Sequence, residues 1–372
     1  MNVDRVVEAL ESIAPPHYAE SWDNVGLLIG SRRWAAERIM LTVDLTEEVL
    51  REAIDADAQM ILAYHPPVFQ PLKALTDDTP AQRIALEAAR AAIAVYSPHT
   101  ALDAAPGGVN DWLAQGLGHG DVRALQCAHT LPESEEYKVV TFCPHDAVDQ
   151  LRNALASIGA GHIGDYELCS FELKGTGTFL GGPGTDPTVG ERGRLERADE
   201  TRLEMVCPGA ALGLAVVTLR EFHPYEEPPV ELYRLRPRPQ RNVGAGRRLV
   251  LDQRTTLQTL VERCKKQLGV DRLRVALGRD APEQFQTIGL CAGAGGSLLE
   301  TAVEQGCELF LTGEMRHHDI LAAQARACTV LLAGHTNTER GYLRTLRQTL
   351  IDRLPALTVT ISRRDADPLT AM

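Results

Sequence analysis

The sequence predicts an α/β protein interrupted by a small α+β module of ferredoxin-like type. Strand-like and helix-like segments alternate at both ends of the chain, as βαβ units require. Four short apolar runs (QMILAYHPP, AAIAVYSPHTALD, ELFLTGEMRHHD and VLLAGHTNTER) each pass straight from strand to His, Asp or Glu. The middle of the chain changes rhythm to hairpins and Gly/Pro-rich loops.

The opening segment, VDRVVEALESIA, reads as a helix and RIMLTVDL as a strand. TEEVLREAIDADA reads as a helix opened by a Thr cap with acidic first-turn residues. QMILAY completes a β-α-β unit, PAQRIALEAARA and AIAVYS repeat it, and VNDWLAQGLG adds a helix. From about Tyr137 the pattern shifts: KVVTFCP strand, HDAVDQLRNALASIGAG helix, YELCSFELKGTGTFL strand–turn–strand. A loop, GGPGTDPTVGERG, precedes ETRLEMVCP (strand), ALGLAVVTLREF (helix) and VELYRLR (strand). RPRPQRNVGAGRR reads as a linker, its Arg cluster either a solvated junction or a contact for an anionic partner. The last part alternates again, through LQTLVERCKKQLG (helix), RLRVALG and TIGLCAG (strands) and SLLETAVEQG (helix). CELFLTG (strand), HDILAAQARA (helix), TVLLAG (strand) and the helix ERGYLRTLRQTLIDRL follow.

A chain of 372 residues is long enough for two to three domains. Its net charge of −12 argues against nucleic-acid binding, which depends on cationic side chains neutralising phosphates. Eight cysteines form no CxxC pair and read as small apolar residues in a reducing compartment. The acidic, amphipathic start is unlike a secretory signal, and no stretch reaches the roughly 18 apolar residues of a membrane span. These features predict a cytoplasmic protein without membrane partners.

In open α/β sheets, ligands gather at the carboxyl ends of strands. His65, His99, Asp103, Glu314, His317, His318, His335 and Glu339 all follow strand-like runs, so one crevice can collect them. Such a group of imidazoles and carboxylates is costly to bury unless a cation or tight pairing compensates it. His335 and Glu339, at i and i+4, can aim at one point as ordinary ligands for Zn, Mn, Fe or Co, or form a capped helix start. His99 and Asp103 fall in a loop that is either ligating or an Asx turn. His65, held extended before Pro66, is either a ligand or a packed histidine. Glu314 and His317 share a helical face in one reading; capping and support of a ligand is the other. Asp44 reads as a cap or as a supporting hydrogen-bond partner. The turn CAGAGGS (291–297) either presents N–H groups to an anion or is purely structural.

The ordered set SWDNVGLLIG, YHPPVF, HTALD with GGVND, TGEMRHHD and GHTNTE resembles the GTP cyclohydrolase type 2 homologues, also called the Ngg-interacting-factor-three-like family. IGDYELCSFELKGTGTF and HPYEEPPVELYRL resemble the PII/CutA-like insert of the longer bacterial members. The resemblance implies two related α/β lobes forming one discontinuous domain (1–132 and 237–372) around an inserted domain (133–236). It also implies two divalent metal ions per chain and homohexamers built from dimers. On the family's pattern His65 and Asp103 hold one metal, His335 the other, and Glu339 bridges them. Tyr64 stands where many members have a first His. Its phenol would ligate as phenolate, donate from outside the metal's shell, or leave the second metal weakly held. The implied activity is metal-dependent hydrolysis of a nucleotide or a small phosphate- or amide-bearing metabolite, with Glu339 in the catalytic group and His99 or His318 as proton shuttle. A non-enzymatic metal-binding or regulatory assembly is the alternative.

Overall fold

The computed structural model describes residues 1–369, which form two compact units: 1–128 with the chain from 240 onward, and 129–239. The strands run in chain order as β1 (Gly26–Ile29), β2 (Arg38–Thr42), β3 (Met60–Ala63), β4 (Ala94–Ser97), β5 (Gly120–Thr130), β6 (Tyr137–Cys143), β7 (Ser170–Leu180) and β8 (Leu195–Cys207). They continue as β9 (Val230–Arg234), β10 (Arg238–Thr256), β11 (Arg274–Ala276), β12 (Gln284–Ala294), β13 (Leu309–Glu314), β14 (Thr329–Leu332) and β15 (Thr358–Ile361).

The first unit is mixed α/β with two sheets, ordered β1-β4-β3-β2-β15 and β11-β14-β13-β12-β10-β5. In each, three consecutive strands run parallel (β2, β3, β4; β12, β13, β14) and an antiparallel strand closes the last of them. The order β1-β4-β3-β2 therefore recurs as β11-β14-β13-β12. Buried on both faces, the parallel strands are continuous apolar runs, as MILA and TVLL show. Helices cover them by burying one stripe: Val3, Val6, Val7 and Leu10 in Val3–Ile13 are almost wholly inaccessible. Thr46 caps Glu47–Asp55 by accepting from the Val49 N–H, as the sequence predicts.

The second unit has four antiparallel strands in the order β7-β8-β6-β9, joined through helices Val148–Ser157 and Leu212–Phe222. Its core, including Val139, Leu151, Leu203 and Leu219, is its own.

Several sequence expectations need correction. RPRPQRNVGAGRR falls almost wholly within the 19-residue strand β10 and is not a linker. Its Arg247 is fully buried, with donors to the carbonyls of Ala104, Ala105, Gly244 and Gly246 and to the Asp111 carboxylate. YELCSFELKGTGTFL holds one strand, β7, rather than two. His99 and Asp103 lie on a short helix, His99–Ala104, not in a loop. Glu314 ends β13 and the helix begins at His317, so the two share no helical face. β1, β5 and β15 are strands that the expectations above omit, although the alternating β-branched TVTI of β15 suits one. All eight cysteines are free thiols. Among the described residues, no helix is long and apolar enough to cross a membrane.

Candidate metal centre

Six of the seven parallel strands of the first unit deliver a site residue just past, or at, their carboxyl ends; β15, parallel to β2, is the seventh. Asp44 follows β2, His65 follows β3 and His99 with Asp103 follows β4. Gly293 lies near the end of β12, Glu314 closes β13, and His335 with Glu339 follows β14. His65, His99, Asp103, His335 and Glu339 line one cavity of about 750 Å³.

At its centre, Glu339 is nearly inaccessible at 3% exposure. Its Oε1 lies 3.5 Å from His335 Nε2 and its Oε2 lies 3.5 Å from His65 Nε2. These spacings exceed a good hydrogen bond, and Oε2 is buried with no hydrogen-bond partner. They do match two donor atoms sharing a cation at roughly 2.1 Å with near-tetrahedral angles. One donor atom from each of the three residues lies within 4.8 Å of the others.

Both imidazoles are turned toward Glu339 from behind. His65 Nδ1 meets Asp44 Oδ1 at 2.8 Å, and His335 Nδ1 meets Glu314 Oε1 at 3.0 Å. A carboxylate on the rear nitrogen fixes the tautomer and leaves the front nitrogen's lone pair for a metal. Asp44 is itself near Arg340, whose guanidinium pairs with Asp365 at 2.5 Å. The backbone makes room in front. Gly293 has φ +61°, and a Cβ there would come within 2.7 Å of Glu339 Oε1 and 3.0 Å of His335 Nε2. Only glycine leaves that space clear.

The electrostatics of the cavity favour positive charge. Burial works to lower the His65 pKa, yet the carboxylates of Asp44 and Glu339 outweigh it and raise it to about 10. Burial raises Asp103 to about 6, against the Tyr64 hydroxyl that donates to its Oδ1. Burial also lifts the Tyr64 phenol well above its ordinary value, helped by the charges of Asp103 and Glu339, so it stays neutral and donates. The donor set thus fits a divalent cation: two anchored imidazoles, an orphaned carboxylate oxygen and a glycine cradle.

Asp103 shares the cavity but stands outside the closest trio. Asn110, fully buried, ties its carbonyl to the second sheet, donating to Asp103 O at 3.1 Å and accepting from Ala292 N at 2.9 Å. His317 and His318 are exposed at the start of their helix and do not line the cavity, so the shuttle expected of His318 has no support in its placement. His99 lines it, with Nδ1 at 2.7 Å from Asp23 Oδ1. Trp22 and Phe69, both exposed, stand at the cavity, and the Trp22 ring lies 6.1 Å from that of His99.

Two features emerge only from the fold. Asp23 belongs to the SWDNVGLLIG motif but follows no strand-like run, so its place behind His99 is visible only in the fold. The segments His99-Thr100-Ala101-Leu102-Asp103 and His335-Thr336-Asn337-Thr338-Glu339 repeat a His-Thr-x-x-acid pattern after corresponding strands. That repeat pairs the two halves of the chain once the strand orders are known.

Fold and site together define a mixed α/β protein with a candidate divalent-cation centre at converging strand ends. The chain belongs to the Duf34/NIF3 (NGG1p interacting factor 3) family, whose model matches residues 1–368. It is 35% identical to the "GTP cyclohydrolase 1 type 2 homolog" of Halalkalibacterium halodurans, over 99% of this chain and 98% of that one. It is 36% identical to the "NIF3-like protein 1" of Rattus norvegicus, over 99% and 92%. A solved Bacillus cereus protein related to NIF3 superimposes with a TM-score of 0.67 at 31% identity, over 100% and 99% of the two chains.

Proposed function

We propose that this protein holds two divalent cations and is a metal-dependent hydrolase acting on a nucleotide or a small phosphate- or amide-bearing metabolite. The observation that carries the reading is the pair of 3.5 Å approaches of two anchored imidazoles to different oxygens of buried Glu339. A carboxylate so placed suits a bridge between two ions. His65 and Asp103 would hold one and His335 the other. A divalent cation supplies Lewis acidity and lowers the pKa of a bound water.

The chain's own groups do the rest. Asp44 and Glu314 orient the imidazoles, and buried Glu339 directs its carboxyl group into the cavity. Trp22 and Phe69 offer flat apolar surface for a base or ring. The volume of about 750 Å³ lies within the roughly 300–1,000 Å³ usual for small-molecule sites. The relatives' name points to a guanine nucleotide among the candidates.

A second reading, a metal-binding regulatory protein, draws on the second unit. Its strand order and its two helices support a ferredoxin-like insert. It contains its own cavity of about 490 Å³, walled in part by Phe142, Phe179, Leu180 and Tyr225. We extend the proposal to a cytoplasmic homohexamer built from dimers, tested by light scattering.

The deciding experiment measures metal content of the purified protein, then turnover of a nucleotide and phosphoester panel by wild type and Glu339→Gln. Turnover lost in the variant supports the hydrolase. Metal present without Glu339-dependent turnover favours the regulatory reading, and absence of metal binding under all conditions sinks both.

A further inference from the structure

We infer that Asp365 is a positioning residue for the cation centre, acting through Asp44 on the His65 imidazole. This rests on the metal-binding reading above and names a residue outside both the ligand set and the cavity lining. The seventh parallel strand delivers it. Ile361 of β15 is in register with Leu41 of β2, and the Ser362 N–H donates to the Leu41 carbonyl at 2.9 Å. Glu52 fixes the turn that follows, its carboxylate accepting from the Arg363 N–H at 2.9 Å and the Arg364 N–H at 3.1 Å. The Ser362 hydroxyl oxygen accepts from the Asp365 N–H at 3.1 Å, which directs the Asp365 side chain back toward the end of β2.

The Asp365 side chain is only 2% exposed, and a carboxylate so buried is costly unless its oxygens are used. Oδ2 accepts from the Val43 N–H at 2.7 Å and lies 2.5 Å from Nη1 of Arg340, while Oδ1 faces the Asp44 N–H at 3.4 Å. The next bonds lead straight to the centre. The Val43 carbonyl accepts from the His65 N–H at 3.0 Å, and Asp44 Oδ1 meets His65 Nδ1 at 2.8 Å. Val43 and Asp44 thus hold His65 by backbone and by ring, and Asp365 holds both of them.

Arg340 supplies a second link. It directly follows Glu339 in the chain, and its Nη2 stands 3.9 Å from Asp44 Oδ2. One buried carboxylate therefore ties the residues that support His65 to the short helix that carries Glu339. Those are the two side chains whose 3.5 Å approach offers the cation its place.

Cobalt(II) titration of the full chain, read by visible absorption where circular dichroism shows every variant folded, tests this without any assay of activity. Asp365→Asn keeps an acceptor for the Val43 N–H but not the charge. It should weaken cation binding by about 10- to 100-fold and alter the cobalt spectrum, as removing support behind a ligating imidazole does. In an Asp44→Asn background the same change should have little further effect, because residues acting along one path are not additive. A merely structural carboxylate would lower the melting temperature of the metal-free chain and leave affinity and spectrum unchanged. Should Asp365→Asn fail to fold, Asp365→Glu, which keeps the charge and displaces the oxygens by one methylene, carries the same expectation. Wild-type affinity in a folded Asp365 variant, or losses that simply multiply with Asp44→Asn, would overturn the inference and leave the metal-binding reading standing. A wild type that takes up no cobalt removes that reading and this inference with it.

Discussion

At the residue scale, the site is governed by what stands behind each ligand. Asp44 does not line the cavity, yet it fixes His65 through Nδ1. Asp44→Asn should therefore lower cation affinity by about 10- to 100-fold while the fold persists, as calorimetric titration would show. The raised His65 pKa, about 10, has a further outcome. A raised value means the proton is held throughout neutral pH, so a cation must expel it. Loading should release about one proton near pH 8, and affinity should climb about tenfold per pH unit until pH passes through that value. Calorimetry in buffers of different ionisation enthalpy measures this directly; no buffer dependence would contradict the assignment. Gly293→Ala, with its Cβ 2.7 Å from Glu339 Oε1 and φ at +61°, should abolish tight binding by crowding alone.

At the element scale, the strand ends do the collecting and one buried guanidinium braces the helix that bears Asp103. Arg247 of β10 saturates the carbonyls of Ala104 and Ala105 at the end of the helix that bears Asp103. Arg247→Ala should cost about 3–5 kcal/mol in chemical denaturation, since it strands the Asp111 carboxylate and several carbonyls. The apolar runs of β3, β4, β13 and β14, each followed by His or Glu, are legible because buried parallel strands leave an unbroken apolar signal. β10 is not, because Pro, Gly and Arg look like a junction when the hydrogen bonds that satisfy a buried guanidinium come from residues more than a hundred positions away. Glu314 misleads for a similar reason: E-x-x-H spacing does not reveal that the strand continues to Glu314 and the helix waits until His317. The support that Asp44 gives His65 is one of the two sequence readings of that residue, whereas that of Asp23 depends on a contact with His99 that periodicity does not encode.

At the scale of the whole molecule, the two units have separate cores. No residue of the cluster around Val139, Leu151 and Leu203 belongs to the clusters of the first unit. β5 and β10, which bracket the second unit in sequence, are neighbours in the six-stranded sheet. Replacing residues 131–237 by a short Gly/Ser linker should leave a folded protein with wild-type cation affinity. A folded product that no longer takes up metal would disprove this independence. The cage also has a mechanical side, because His65 belongs to the early part of the chain and His335 and Glu339 to its end. An ion gripped from both directions is a removable fastener between the polypeptide's beginning and its finish. Saturation at a hundredfold over Kd would add roughly 2.7 kcal/mol against unfolding, and a chelator would undo that clasp without breaking a covalent bond.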